Sequence, residues 1–303
     1  MDNKILKLII NPNSGKGKAE KLASKIKEKF EEYGFIVQLN LTQKRDDATY
    51  FARQEEGEGL IVCVGGDGTL HEVVNGVMMR ESRVPIGYIP LGSVNDFARS
   101  VGIPKNWKRA VKNIIEGSNH DIDVCKFNDT YFTYVAAAGI FTKMAYTTSQ
   151  KLKNKLGKIA YFIIGARDIV DYQKMHLKVD ADGIIYEDDF LFVAVANTRS
   201  IGSIIKLKGP YFKLNDGQFE LLLIKYPKNV FTLARAFKYY NSGKWNTDDF
   251  RFIHAKEVRV YDRNNVSWVL DGEESKRIDD VGNITHISVI NKGITIRTRG
   301  ENI

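Results

Sequence analysis

Short apolar runs recur along the first third of the chain, each handing over to a helical or glycine-rich stretch. ILKLII (5–10) precedes a lysine-rich helix from about Lys16 to Tyr33, FIVQL (35–39) a helix near Asp46 to Gln54, LIVCV (60–64) a helix from Thr69 to Met79, and PIGYI (85–89) a polar loop. Parallel strands can be joined only by a crossover, and the crossover helix covers the sheet, so this rhythm predicts a parallel sheet buried on both faces. Up to about residue 118 the chain reads as α/β. Beyond His120 most segments read as strands without helices between them: DIDVCKF, TYFTYVAAA, MHLKVDA, DFLFVAVA, FELLLIKY, EVRVYD, SWVLDG, THISVI and GITIRT. Turn signals at Asp182-Gly183, Asp216-Gly217 and Asn291-Lys292-Gly293 separate them, which predicts an antiparallel β domain of the sandwich type.

The 303 residues suffice for two domains with cores that need no disulfide or metal staple. Cys63 and Cys125 each lie in an apolar run without CxxC spacing, the pattern of small buried hydrophobes in a reducing compartment. No signal-peptide pattern and no run of about eighteen uncharged apolar residues occurs, so the expected location is cytoplasmic, at most peripheral on the inner face of a membrane. A formal charge of +8 favours an anionic partner. Helix-turn-helix and aromatic RNA-binding strand patterns are missing, which argues against nucleic acid.

One helix is expected among the later strands, from about Thr147 to Val170, with Leu152, Leu156, Ile159, Ile163, Ala166 and Val170 on one stripe. Between Thr130 and Arg167 the basic residues Lys143, Lys151, Lys153, Lys155, Lys158 and Arg167 have no acidic counterpart, and Tyr161, Phe162 and Ile164 lie off the stripe. Basic residues beside spare aromatics suit a helix lying on a membrane surface; a core helix with a solvated lysine face is the plainer reading.

The stretch CVGGDGTLHE (63–72) places glycines where a strand meets a helix. Gly65, Gly66 and Gly68 let anionic oxygens approach the main chain without a Cβ in the way, and the amides that open the next helix point into the same volume. The spacing is neither a Walker loop nor a dinucleotide fingerprint, since His71 stands where the latter needs its third glycine. Asp67 among phosphates calls for an intervening Mg²⁺. NPNSGKGK and PLGSVNDFAR occupy the same kind of junction after the first and fourth strands, and the carboxyl ends of parallel strands form the ligand crevice of such sheets.

NPNSG (11–15), GGDGTLHEVVNG (65–76), PLGSVNDFAR (90–99), LNDG (214–217) and DGE (271–273), in that order, resemble the diacylglycerol kinase catalytic family, specifically its bacterial soluble lipid kinases. The resemblance implies a nucleotide-binding α/β domain over residues 1–120, related to phosphofructokinase and NAD kinase, to which 291–303 return, and a β-sandwich lipid-substrate domain over 121–290. It implies that ATP contacts Asn11, Pro12, Asn13, Ser14, Gly15, Thr42, Gly65, Gly66, Asp67, Gly68, Thr69, Leu70, His71, Ser93, Asn95 and Asp96. Ser93 replaces the family's usual threonine and keeps the hydroxyl. Glu273 is implied as the proton acceptor, with Asp271 and Asp67 beside it in the catalytic set. A structural Mg²⁺ maps to Asp216 and the carbonyls of Lys213 and Gln218; Asn215 stands where the family usually has a second aspartate, and Pro210-Tyr211-Phe212 where many members have Pro-x-Ala.

Phosphoryl transfer needs an aligned acceptor oxygen, neutralised charge on the phosphoryl group and a base for the hydroxyl proton. The expected function is transfer of the γ-phosphate of ATP to a hydroxyl of diacylglycerol or a related lipid at an anionic membrane surface, where Lys16, Lys18 and Lys21 extend the basic face. Asp96 is read either as a Mg²⁺ organiser or as a helix N-cap, and Asp123 as an organiser or a solvent-facing strand residue. The alternatives are a kinase acting on NAD and a nucleotide-binding regulator without turnover. A homodimer is compatible with the sequence.

Overall fold

The computed structural model describes residues 4–139, 174–198, 200–201, 205–206, 213–228, 232, 235, 246–262, 266–275 and 284–300. The helix expected over Thr147–Val170, with its lysines, and Pro210-Tyr211-Phe212 lie outside these residues. The chain divides into two compact units, one built from 1–134, 197–218 and 289–303, the other from 135–196 and 219–288.

The first unit starts β1 (Ile5–Ile10), α1 (Ser14–Glu31), β2 (Ile36–Leu41), α2 (Asp47–Arg53), β3 (Leu60–Gly65), α3 (Asp67–Met78) and β4 (Ile86–Pro90). Then follow α4 (Asp96–Ser100), α5 (Trp107–Ile115), β5 (Ser118–Phe127) and β6 (Thr130–Phe132). β4, β3, β1 and β2 lie side by side and parallel, with β2 at the edge. Alternate residues of β1 and β3, Leu6, Leu8, Ile10, Leu60, Val62 and Val64, form a core with Ala19, Ala23, Ile26 and Phe30 of α1 and Ala110 and Ile114 of α5. α5 was not foreseen; Asn106, whose side chain accepts the Arg109 N–H, is its start signal.

Lys7 breaks the apolar run of β1. Its Nζ donates to the carbonyls of Phe51 and Gln54 at 3.2 and 2.6 Å, at the carboxyl end of α2, and lies 3.3 Å from both Glu56 and Glu58. Arg80 reaches the same place, bonding the Ala52 carbonyl and Glu58. A cation there meets the negative end of the helix dipole, and a buried carboxylate completes the pairing.

The second unit is antiparallel throughout. It contains β7 (Val135–Gly139), β8 (Met175–Ala181) and β9 (Ile184–Ala196); β10 (Ser200–Ile201) and β11 (Ile205–Lys206) lie on the return to the first unit. β12 (Phe219–Lys225), β13 (Phe250–Ala255), β14 (Glu257–Asp262), β15 (Trp268–Leu270), β16 (Glu273–Ser275) and the start of β17 (Ile284–Thr298) complete it. The order is β16-β15-β7-β9-β8-β14-β17, with β12 joined to β9 and β13 to β12. The turn expected at Asp182-Gly183 is a tight two-residue hairpin with both φ positive, 48° and 88°.

The turn expected at Asn291-Lys292-Gly293 is a correction. THISVI and GITIRT are one strand, β17, not two. Lys292 does take positive φ, 52°, but its N–H is held by the Asp123 carboxylate at 2.7 Å, so the chain kinks locally and continues. Residues 284–288 pair with β14 in the second unit, and Ile296 pairs with Ile86 of β4 in the first.

Candidate active site

In the first unit β1 to β4 share one direction, so Ile10, Leu41, Gly65 and Pro90 end at the same edge of this parallel part of the sheet and their loops gather there. The loops interlock through main chain. Leu91 and Gly92 both donate their N–H to the Gly65 carbonyl, at 2.8 and 3.2 Å, and Asn11 donates to the Val64 carbonyl at 3.0 Å. A Cβ on Gly92 would lie 2.5 Å from the Gly66 Cα and 2.7 Å from Asn95 Oδ1; one on Gly65 would lie 2.5 Å from the Thr69 side chain. Gly65 is therefore constrained by Thr69, and Gly66 and Gly92 by each other's main chain, as well as by any ligand.

Asn11 Nδ2 bonds Thr69 Oγ1 at 3.2 Å, and Asn11 Oδ1 accepts the Asn13 N–H at 3.1 Å. After Pro12 and Ser14 the chain makes a left-handed turn, Gly15, Lys16 and Gly17 at φ of 64°, 61° and 77°, before α1 proper. A side chain at Gly15 would strike the Leu91 carbonyl at 2.8 Å, which ties this loop to the PLG loop. Thr42 is buried just past β2, donating its N–H to Ile10.

α3 begins at Asp67 with Gly66 at its cap and no side chain closing the first turn. The amides opening the helix at Gly68 and Thr69 thus belong to an N-terminus suited to anionic oxygens, with Leu70 and His71 following in the first turns. Asp67 Oδ1 accepts the Phe97 N–H at 3.4 Å, linking it to α4. Asp96 is buried and pairs with Arg99 at 3.1 Å. The N-cap reading of Asp96 does not hold: Asn95, at φ 54°, occupies the cap, and its amide instead closes the loop on the Gly92 carbonyl at 2.7 Å. Ser93 is exposed at the loop's tip.

Two residues outside the expected set organise this edge. Tyr88 is buried with its hydroxyl 3.4 Å from the Gly65 carbonyl and 3.3 Å from Asn95 Oδ1. Burial, then the charge of Asp67, pushes its phenol well above the ordinary tyrosine value, so it stays a neutral donor. Asn75 is also buried; its Nδ2 donates to the His71 and Tyr131 carbonyls at 2.9 Å, and its Oδ1 accepts from Thr130 Oγ1 at 3.0 Å and the Tyr131 N–H at 2.9 Å. Its amide thus splints α3 to β6. Asparagine on the buried side of an apolar helix was the signal available for it.

Asp123 is fully buried, which corrects the solvent-facing reading. Its Oδ2 accepts the Gly217 N–H at 2.6 Å, its Oδ1 the Lys292 N–H, and its own N–H bonds the Leu214 carbonyl at 2.7 Å. Burial first, and the neighbouring Asp216 charge after it, raises its pKa above the ordinary carboxylate value. Asp216 is exposed, with Oδ1 on the Gln218 N–H at 3.1 Å, and Lys213 is exposed at the start of the same loop. No group of three or more His, Cys, Asp or Glu able to hold a metal occurs among the described residues. The loop's oxygens, one carboxylate with main-chain carbonyls around a tight Gly217 turn at φ 73°, are of the kind that suits a hard cation.

In the second unit, Asp271 and Gly272 form the two-residue turn between β15 and β16, at φ 49° and 91°, with Leu270 paired to Glu273. Asp271 is buried and anchored on β7: it donates its N–H to the Val135 carbonyl at 2.8 Å and accepts the Val135 N–H at 3.1 Å. The backbone of Glu273 is thus placed by a hairpin whose turn is pinned at its first residue.

The family model of the diacylglycerol kinase catalytic domain matches residues 5–127, and that of the YegS C-terminal NAD kinase beta sandwich-like domain matches residues 135–285. A diacylglycerol kinase of Staphylococcus carnosus (strain TM300) is 38% identical over 275 residues, covering 88% of each chain. One from Bacillus subtilis (strain 168) is 32% identical over 270 residues, 88% of this chain and 89% of the relative. Among solved structures, a diacylglycerol kinase from Bacillus anthracis str. Sterne superposes with a TM-score of 0.76 at 27% identity, covering 98% of both chains. The expected α/β-plus-β-sandwich fold class is thereby met.

Proposed function

The chain belongs to the diacylglycerol kinase catalytic family and is an ATP-dependent lipid kinase, and from that premise we propose that its acceptor is the free hydroxyl of diacylglycerol and its product phosphatidic acid. The observation that carries the assignment of residues is the interlocked edge of the first unit, where Gly65 and Gly92 leave no room for side chains, Gly66 leaves little, and α3 opens without a side-chain cap. Asn11 to Gly15, Thr42, Gly65 to His71, Ser93, Asn95 and Asp96 cradle the nucleotide in this proposal, their amides and hydroxyls taking the phosphate oxygens.

Glu273 takes the proton of the acceptor hydroxyl as its oxygen bonds to the γ-phosphorus and the bridging bond to ADP breaks. Asp271, already committed to Val135, positions the turn that carries Glu273, and Asp67 organises charge at the start of α3. Asp216 and the carbonyls of Lys213 and Gln218 would hold Mg²⁺, which, when bound, offsets the crowding of the Asp216 and Asp123 carboxylates. The two units serve as nucleotide domain and lipid-substrate domain. The net charge of +8 and the exposed Lys16, Lys18 and Lys21 support docking on an anionic membrane face. Among the described residues no helix is long and apolar enough to cross a membrane. The protein is further proposed to act as a homodimer.

The test is phosphorylation of diacylglycerol in mixed micelles with ATP and Mg²⁺. Glu273→Gln is expected to lower kcat by about 10²- to 10⁴-fold, the usual share of a general base, with the KM for ATP little changed. Full activity of that variant, or transfer to NAD in place of lipid, would overturn the proposal.

A further inference from the structure

α3 carries a glutamate outside the proposed nucleotide set. Glu72 follows His71 directly, about one turn along the helix from the amides that open it, and is half-buried. Gly76 lies four residues on, over the same face of α3, and that face packs on α2. A Cβ at Gly76 would lie 2.5 Å from the Thr49 carbonyl and 2.7 Å from the Ala52 Cβ, so the two helices meet at close range. Glu72 joins them by hydrogen bonds. Its Oε2 accepts the Ala48 N–H at 3.1 Å, the Asp46 N–H faces the same carboxylate, and its main-chain carbonyl accepts from Thr49 Oγ1 at 3.0 Å.

The start of α2 draws its acceptor from another helix because its own cap supplies none. Asp46, in the cap position, sits in the left-handed region at φ 68° and makes no side-chain cap hydrogen bond. Ahead of it Gln43, Lys44 and Arg45 are exposed, and the anchor of this stretch is Asp47, whose Oδ2 accepts the Gln43 and Lys44 N–H groups at 2.7 and 3.0 Å. Thr42 begins the loop. The path is continuous: Glu72 of α3 holds the start of α2, the first residue of α2 holds Gln43, and Gln43 is next to Thr42.

We propose that Glu72 is a positioning residue for the nucleotide: from the helix that the GGDG turn opens, it fixes the loop that carries Thr42, so that the two parts of the cradle keep one spacing. The inference rests on the reading of Thr42 and Gly65 to His71 as nucleotide contacts. A carboxylate suits this role because both of its oxygens accept, whereas a glutamine of the same shape presents an NH₂ on one side, which cannot take an N–H. So near the opening amides of α3, the negative charge of Glu72 by itself opposes an anion. Charge and position thus push nucleotide affinity in opposite directions, and the sign of the effect tells which dominates.

The test is a double-mutant cycle on ATP binding, read by titration calorimetry without lipid and as the KM in the mixed-micelle assay, with a melting curve for each variant. Glu72→Gln is expected to weaken ATP by about 10-fold in both readouts while kcat stays within about twofold, because a charge-assisted bond that sets the loop is lost. Thr42→Ala is expected to weaken ATP as well, and the double variant to be no worse than the poorer single one, since both changes break the same contact. Asp47→Asn, at the loop's other anchor, should behave in the cycle as Glu72→Gln does, and it carries the test if Glu72→Gln does not fold. Tighter ATP binding in Glu72→Gln, or unchanged binding with a lower melting temperature, would overturn the proposal. Losses that multiply in the double variant would overturn it while leaving Thr42 a nucleotide contact. Wild-type affinity in Thr42→Ala would overturn that contact and this inference with it.

Discussion

Gly92 and Gly66 show what a phosphate-type loop demands at the scale of single residues. The Gly92 position has no room for a Cβ because the Gly66 main chain lies 2.5 Å from where it would be, whereas a Cβ on Gly66 would meet the Gly92 Cα at 3.3 Å, a tight contact, so the approach of the two loops depends first on Gly92. Gly92→Ala must push backbone aside, a cost of about 1–3 kcal/mol for overpacking. The displaced group is the GGDG turn itself, so the KM for ATP should rise in the same variant whose melting temperature falls. Gly17→Ala is the contrast: a Cβ there meets nothing within 4 Å, and its penalty comes from the positive φ of 77° alone, roughly 1–2 kcal/mol. Thermal melts with and without nucleotide separate the two, because only Gly92→Ala should lose nucleotide-induced stabilisation. Asparagine and tyrosine were harder to read than glycine. PLGSVNDF announces a loop, but nothing local says that Tyr88, two residues before the end of β4, turns its hydroxyl onto Asn95.

At the scale of elements, α2 is held at its carboxyl end by Lys7 of β1 and Arg80 beyond α3, with Glu58 between them, 3.3 Å from Lys7 and 2.5 Å from Arg80. Burial pushes the Glu58 proton affinity up, but the Arg80 guanidinium and nearby amides outweigh it and hold the carboxyl below the ordinary glutamate value. A depressed folded pKa stabilises the fold above the unfolded value, roughly 4.3 for glutamate, and that contribution is lost as pH falls toward the folded value. Glu58→Gln should therefore flatten the acid limb of the stability curve below about pH 4.3, while costing about 3–5 kcal/mol at neutral pH by taking the buried carboxylate from Arg80 and leaving Lys7 with Glu56 as its paired carboxylate. Denaturant titrations from pH 3 to pH 7 measure both. The strands and helices on either side of this network were legible, since apolar periodicity reports burial. The network was not: ILKLII reads as a strand with one stray lysine, because the partners of Lys7 are carbonyls and carboxylates some fifty residues away. The same limit explains β17, where Asn291-Lys292-Gly293 has turn composition but Asp123 of β5 holds the kink and the strand continues past it.

At the scale of the whole molecule, the first unit is not a contiguous stretch of sequence: 197–218 and 289–303 return to it. Asp123 accepts from Gly217 and from Lys292, one residue from each returning segment. Asn113 bonds Thr298 Oγ1 at 2.8 Å and the Arg299 N–H at 3.1 Å, and Arg297 caps the last turn of α5 through the Ile114 carbonyl at 2.9 Å. A fragment of residues 1–134 would keep the nucleotide loops intact in sequence yet strand the Asp123 carboxylate, the Asn113 amide and the exposed flank of β4. Each orphaned buried polar group costs about 1–3 kcal/mol, so together they rival the 5–15 kcal/mol that typically holds a domain together. The fragment should show no cooperative melt and no nucleotide-induced protection of its amides from hydrogen exchange. The full chain carrying Asp123→Ala should still melt cooperatively but at lower temperature, because one shared acceptor is lost while both segments remain attached. A cooperatively folded 1–134 would mean that the parallel sheet is sufficient by itself and that the returning segments only decorate it.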